Sequence, residues 1–125
     1  MKKGQGKPLI AIVDDDESVQ SALQELVESD GFSAKTFGSA EQFLESGSQR
    51  KVACLITDIR MTGMSGLDLM AKLKADGYRI PTIFITAHGD SRVRIQAMRE
   101  GAVEFLMKPF DDQVLLSRLR AALDM

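Results

Sequence analysis

At 125 residues, 44% hydrophobic and 27% charged, the chain has the size and composition of one globular domain that can fold without disulfides. Its net charge of −2 gives no electrostatic case for nucleic acid as a direct partner. No apolar stretch approaches the ~18 residues of a membrane span, and no apolar signal region follows Met1-Lys2-Lys3, so membrane insertion and secretion are not expected and the cytoplasm is.

Residues 1–7 read as a polar, flexible leader. A first strand is predicted at Leu9-Ile10-Ala11-Ile12-Val13, running into Asp14-Asp15-Asp16. Val19, Leu23, Leu26 and Val27 then recur at helical spacing until Asp30-Gly31. Ala34 to Phe37 reads as a second strand, polar enough for a sheet edge. Ser39 suits the N-cap of a short helix carrying Phe43 and Leu44 and ended by Gly47. Ala53-Cys54-Leu55-Ile56-Thr57 forms a third strand ending at Asp58, with Cys54 a small buried hydrophobe. Leu67, Met70 and Leu73 mark a helix that stops near Asp76-Gly77. Thr82 to Ile85 forms a strand ending at Thr86, and Val93, Ala97 and Met98 mark a helix stopped at Gly101. Val103 to Met107 is a last strand, ending at Lys108-Pro109, and Val114, Leu115, Leu119, Ala122 and Leu123 mark a final helix. The alternation predicts a single doubly wound α/β domain, (βα)5, with a parallel sheet and right-handed crossovers. As the fifth helix ends with the chain, no second domain is expected in it.

Four of these strands end on reactive side chains, and parallel strands present those ends along one edge, where ligands of open α/β sheets bind. Neighbouring first and third strands bring Asp14, Asp15 and Asp58 together. Two unit charges about 4 Å apart repel by about 4 kcal/mol at an effective dielectric near 20, so such a cluster must take up a proton, stay hydrated or bind a cation. Mg²⁺ suits carboxylates, water and a phosphate oxygen. Lys108 and Thr86 would offer donors to the other oxygens of a transferring phosphoryl group, with Asp58 the best nucleophile.

At these residues the chain resembles the receiver domain of two-component response regulators over about 8–124. The resemblance rests on Ile12-Val13-Asp14-Asp15-Asp16, Thr57-Asp58-Ile59-Arg60-Met61, Gly63-Met64-Ser65-Gly66, Thr86-Ala87-His88 and Lys108-Pro109-Phe110. The Thr86–His88 and Gly101–Phe110 stretches look most like the nitrogen-fixation regulator branch, whose full-length members carry a helix-turn-helix output domain. The resemblance implies a flavodoxin-like fold with strand order 2-1-3-4-5. It implies that Asp58 accepts a phosphoryl group from a phosphohistidine on a sensor histidine kinase. Asp15, Asp58 and the Arg60 backbone carbonyl would bind Mg²⁺ directly, with Asp14 assisting, often through water. Lys108 would hold a phosphoryl oxygen, and the Lys108–Pro109 bond would be cis. Thr86 would bond another oxygen and shift on phosphorylation, with Phe105 following as the switch aromatic, although a place in a strand suits a core role for Phe105 equally. Such a domain catalyses its own phosphorylation and dephosphorylation rather than acting as a conventional enzyme. Its readout is the face of helix four, strand five and helix five, which often makes a homodimer.

One position departs from the family. Most relatives read Met-Pro-Gly after the phosphoacceptor, whereas this chain reads Met61-Thr62-Gly63. Without the fixed φ of proline, the loop is expected to be more mobile while phosphorylation persists. Arg60 and His88 lie where the family tunes phosphoryl lifetime, and a lone loop histidine reads as a solvated side chain rather than a metal ligand.

Other readings meet specific obstacles. A haloacid-dehalogenase-type phosphatase needs a second aspartate where Arg60 stands. A flavodoxin-type protein would repel its flavin phosphate with three aspartates after the first strand. A phosphorylation-independent, receiver-like interaction module remains as the alternative; such modules usually lose an acidic residue, the threonine or the lysine, and this chain keeps all of them.

Overall fold

Each apolar run becomes a parallel strand with a helix after it, in a computed structural model that describes residues 7–87 and 91–124. The elements are β1 (Leu9–Val13), α1 (Glu17–Ser29), β2 (Ser33–Phe37), α2 (Ala40–Glu45), a 3-10 turn (Ser48–Arg50), β3 (Val52–Asp58), α3 (Gly66–Ala75), β4 (Thr82–Thr86), α4 (Ser91–Arg99), β5 (Glu104–Met107) and α5 (Asp112–Leu123). The sheet order is β2-β1-β3-β4-β5, which bears out the expected doubly wound fold. Most of the leader expected over residues 1–7 lies outside the described residues, as does His88.

Position in the sheet follows composition. Residues of β1, β3 and β4 are almost all buried, because helices cover both faces. The more polar β2 and β5 take the edges. Alternation along each strand sends side chains to opposite layers. Ile10, Ile12, Cys54, Ile56, Ile83 and Ile85 pack with α1 and α5. Ala11, Val13 and Leu55 face α2 and α3 with Phe43, Leu69 and Leu73, and a third cluster joins Phe84 and Phe105 to Met70 of α3 and Ala97 of α4. Helix α5 buries four side chains, whereas Ala97 is the one buried side chain among the described residues of α4.

Local chemistry sets the helix starts. Ser39 accepts from the Gln42 N–H as expected, and Ser65 forms a capping box with Asp68. Asp16 accepts from the N–H groups of Ser18 and Val19; the Ser18 hydroxyl and these donors hold its carboxyl below the usual range.

Cys54 is wholly buried, and burial pushes its thiol up to about 12. Because the thiolate is the reactive species, iodoacetamide at mildly alkaline pH is expected to leave the folded protein unlabelled and to label it fully in denaturant. Mass spectrometry of the two samples checks this, and rapid native labelling would contradict the packing described.

Candidate functional site

The register of the strands builds the site. Val13 pairs with Thr57, so the next residues of the two strands, Asp14 and Asp58, leave the sheet side by side. Asp58 pairs with Ile85, which sets Thr86 one residue farther along, and Thr86 pairs with Met107, which sets Lys108 one farther still. The four residues form a staggered edge. The long Lys108 side chain spans the stagger past the end of β4, and Nζ lies 2.9 Å from Asp14 Oδ2 and 3.0 Å from Asp58 Oδ2. The Lys108–Pro109 bond is cis, as expected.

Each carboxylate has a different setting. Asp14 is fully buried; its Oδ1 accepts from the Asp16 N–H at 2.9 Å. The Gln20 amide donates to the Asp14 carbonyl at 2.6 Å, fixing the backbone from α1. Asp58 is 7% exposed, and its Oδ1 accepts from the Ile59 N–H at 2.6 Å. Asp15 is exposed, yet one carboxylate oxygen from each of Asp14, Asp15 and Asp58 lies within 4.8 Å of the others.

Among the described residues, one ammonium therefore pairs with Asp14 and Asp58, with the Asp15 carboxylate beside them. Burial pushes the Asp14 carboxyl up, against the opposing pull of Lys108 and the Asp16 N–H. Burial also works against the Lys108 charge, but hydrogen bonds to Asp14 and Asp58 outweigh it and hold Lys108 above the usual lysine value. The causes differ: desolvation dominates at Asp14, whereas at Lys108 the two carboxylates together outweigh it. The excess negative charge, all on oxygen donors, fits a hard divalent cation such as Mg²⁺.

The other expected residues surround this centre. Thr86 is buried at the end of β4, and its carbonyl accepts from the Lys108 N–H at 2.9 Å. Phe105 is buried against Phe84, Ala97 and Ala102. Arg60 and Thr62 are exposed in the loop between β3 and α3.

Two further residues shape the same loop: Gly66, read from sequence only as the end of a motif, and Glu41, which the sequence does not mark. Gly66 begins α3 so close beneath Asp58 that an added Cβ would lie 2.1 Å from the Asp58 carbonyl oxygen, and its N–H donates to Ile59 O at 2.9 Å. The second is Glu41 of α2, whose Oε2 accepts from the Met64 N–H at 2.9 Å. Glycine eight residues after an aspartate is a readable signal, although a weak one. A contact between residues 23 apart in sequence leaves none.

Comparison with known proteins is consistent with this geometry. The profile of the family described as "Response regulator receiver domain" matches residues 10–120. The chain is 47% identical over 115 residues to the response regulator protein TodT of Pseudomonas putida, covering 92% of the chain and 51% of TodT. It is 40% identical over 114 residues to the transcriptional regulatory protein FixJ of Azorhizobium caulinodans, covering 91% of the chain and 54% of FixJ. Among solved structures, it superposes on the FixJ N-terminal part with a TM-score of 0.84 at 38% identity, covering 96% of each chain. The response regulator StyR aligns with a TM-score of 0.87 at 45% identity, covering 95% of this chain and 60% of StyR. The chain spans about half the length of the curated relatives it matches.

Proposed function

The chain belongs to the response regulator receiver family, and on that premise we propose that Asp58 is its phosphoacceptor, phosphorylated by a sensor histidine kinase in a Mg²⁺-dependent reaction. The observation that carries this reading is the convergence of Asp14, Asp15 and Asp58 on one point, with the Lys108 ammonium paired to Asp14 and Asp58. Such a site calls for a divalent cation, and the cation with Lys108 would supply the positioning and charge neutralisation that phosphoryl transfer requires.

The residues divide the work. Asp14, Asp15, Asp58 and the Arg60 carbonyl would hold Mg²⁺, which when bound neutralises oxygen charge on the transferring group. An Asp58 carboxylate oxygen forms the new bond to phosphorus while the phosphorus–nitrogen bond of the donor phosphohistidine breaks. The imidazole nitrogen keeps that electron pair and is protonated. Lys108 turns from its carboxylates toward the phosphoryl oxygens, and the Thr86 hydroxyl donates to another. Water at phosphorus reverses the modification, leaving free phosphate and the Asp58 carboxylate.

The phosphoryl group switches the protein only by making better contacts in one conformation than in the other. Thr86 and Phe105 are the proposed transmitters, since Phe105 shares a buried cluster with Ala97 of α4. The large apolar side chains exposed among the described residues, Ile95, Met98, Met107 and Val114, all belong to α4, β5 and α5. They suit a face that is covered on activation by a second copy or by an output domain. In a protein of full relative's length, that face would govern a transcription-regulating portion of the kind the name of FixJ denotes.

Incubation with Mg²⁺ and acetyl phosphate, followed by intact-mass measurement, tests the reading. Wild type is expected to gain one acid-stable, base-labile phosphoryl group, Asp58→Asn none, and the modified wild type to elute earlier from a sizing column than the unmodified protein. No adduct on wild type would favour the phosphorylation-independent interaction module.

A further inference from the structure

The loop from Ile59 to Ser65 carries Arg60, and its two ends are well held. Ile59 is buried against Met70 and Phe84, while Ser65 and Gly66 are fixed by the capping box of α3 and the bond to Ile59 O. The middle is different. Met61 and Met64 are half-buried, Thr62 and Gly63 are exposed, and no ring locks the backbone at Thr62.

Glu41 supplies a tie at that point. Its carboxylate accepts from the Met64 N–H at 2.9 Å, and Gly63 lies against the same carboxylate. A Cβ on Gly63 would fall 2.7 Å from Oε2, and the residue sits at φ +83°. The loop thus carries glycine where the backbone angle disfavours a side chain, and a Cβ there would also push the Glu41 carboxylate aside. Glu41 lies in the first turn of α2, where the helix dipole favours a carboxylate.

We propose that Glu41 is a positioning residue for the phosphoacceptor site: it holds the loop that presents the Arg60 carbonyl, and does from α2, by a hydrogen bond, what proline does within the loop of most relatives. The proposal rests on the reading of Asp58 and Arg60 given above. It also makes α2 part of the site, since any partner or substitution that displaces the first turn of α2 loosens the loop from outside.

The test compares Glu41→Ala, Glu41→Gln, Thr62→Pro and the Glu41→Ala/Thr62→Pro pair. Hydrogen exchange of residues 59–66 and the Mg²⁺ dissociation constant by calorimetry are measured for each. Glu41→Ala is expected to speed exchange of the Met64 amide about tenfold and weaken Mg²⁺ binding about fivefold, the size of one ordinary hydrogen bond lost at an exposed site. Glu41→Gln, which keeps an acceptor oxygen, is expected to stay within about twofold of wild type. Thr62→Pro is expected to restore Mg²⁺ affinity in the Glu41→Ala background. Wild-type exchange and Mg²⁺ affinity in Glu41→Ala would overturn the proposal, as would failure of Thr62→Pro to restore affinity. If wild type forms no phosphoryl adduct while these effects on exchange and Mg²⁺ still appear, the positioning role stands and the phosphoacceptor reading falls.

Discussion

Gly66→Ala is expected to destabilise the protein by about 3 kcal/mol, the upper part of the usual range for overpacking, and to slow phosphorylation about a hundredfold. The atom in the way is the Asp58 carbonyl oxygen, 2.1 Å from the new Cβ, with the Ile59 Cα at 3.1 Å. Both belong to backbone held on either side. Asp58 is fixed by its pairing with β4, and Gly66 is locked between its bond to Ile59 O and the capped start of α3. No rotamer change relieves such a contact, so the strand end or the helix must move. Either movement shifts the Asp58 carboxylate, and a misplacement of about 1 Å costs about a hundredfold in rate. Urea denaturation measures the first effect and the acetyl phosphate reaction the second. A variant within about 0.5 kcal/mol of wild type would mean that α3 slides freely on the sheet, contrary to the packing of Leu69 and Leu73.

Lys108→Met is expected to separate stability from chemistry. The substitution keeps most of the apolar stem and removes the ammonium that serves Asp14 and Asp58. Removing one partner of a buried ion pair costs about 3–5 kcal/mol; because the Lys108 side chain is 19% exposed, we expect about 2 kcal/mol without Mg²⁺. Part should return on adding Mg²⁺, which binds the folded site more tightly than the unfolded chain. Phosphorylation by acetyl phosphate is expected to slow about a hundredfold, as for loss of one charge-stabilising donor.

The pH dependence has a definite sign. The folded Asp14 carboxyl titrates above its ordinary value, so the folded state binds this proton more readily than the unfolded chain, and stability falls as pH rises through that interval. Lys108 limits the interval by pulling Asp14 down. Without it, the folded value climbs further and the loss extends toward neutrality. The metal-free variant is therefore expected to be more stable near about pH 5 than near about pH 8, by a wider margin than wild type. The Lys108 contribution in wild type is fully present below the ordinary lysine value and is lost only as pH rises past its raised one. Denaturant midpoints at both pH values check this; equal margins would show that Asp14 does not depend on Lys108.

What could be read from sequence was what depends on patterns along the chain. Apolar runs ending on reactive residues announced β1, β3, β4 and β5, and polarity placed β2 at an edge. Ser39 and the Asp-Gly stops bounded helices because caps act within a few residues. The three aspartates after β1 mark a boundary of that reasoning. As neighbours in sequence they look alike, yet Asp14 is buried against Lys108, Asp15 is exposed beside the cluster, and Asp16 caps α1. Only the direction in which the strand releases the chain separates them. The same holds for Thr62: local chemistry predicts a looser loop there, and the tie from Glu41 arises from a helix that the loop meets only in the folded state. The 3-10 turn at Ser48–Arg50 is too short to leave a periodicity.

Helix α4 contributes one buried side chain from its described residues, against four from α5, so the free energy that fixes its position is a small share of the total. Elements of this kind lie at the low end of a protein's ladder of local opening energies. A bias of about 1.4 kcal/mol changes the ratio of two arrangements tenfold. In such an element a single new contact at the sheet edge can redistribute the ensemble, whereas the same bias applied to β1 or β3 would leave one arrangement populated.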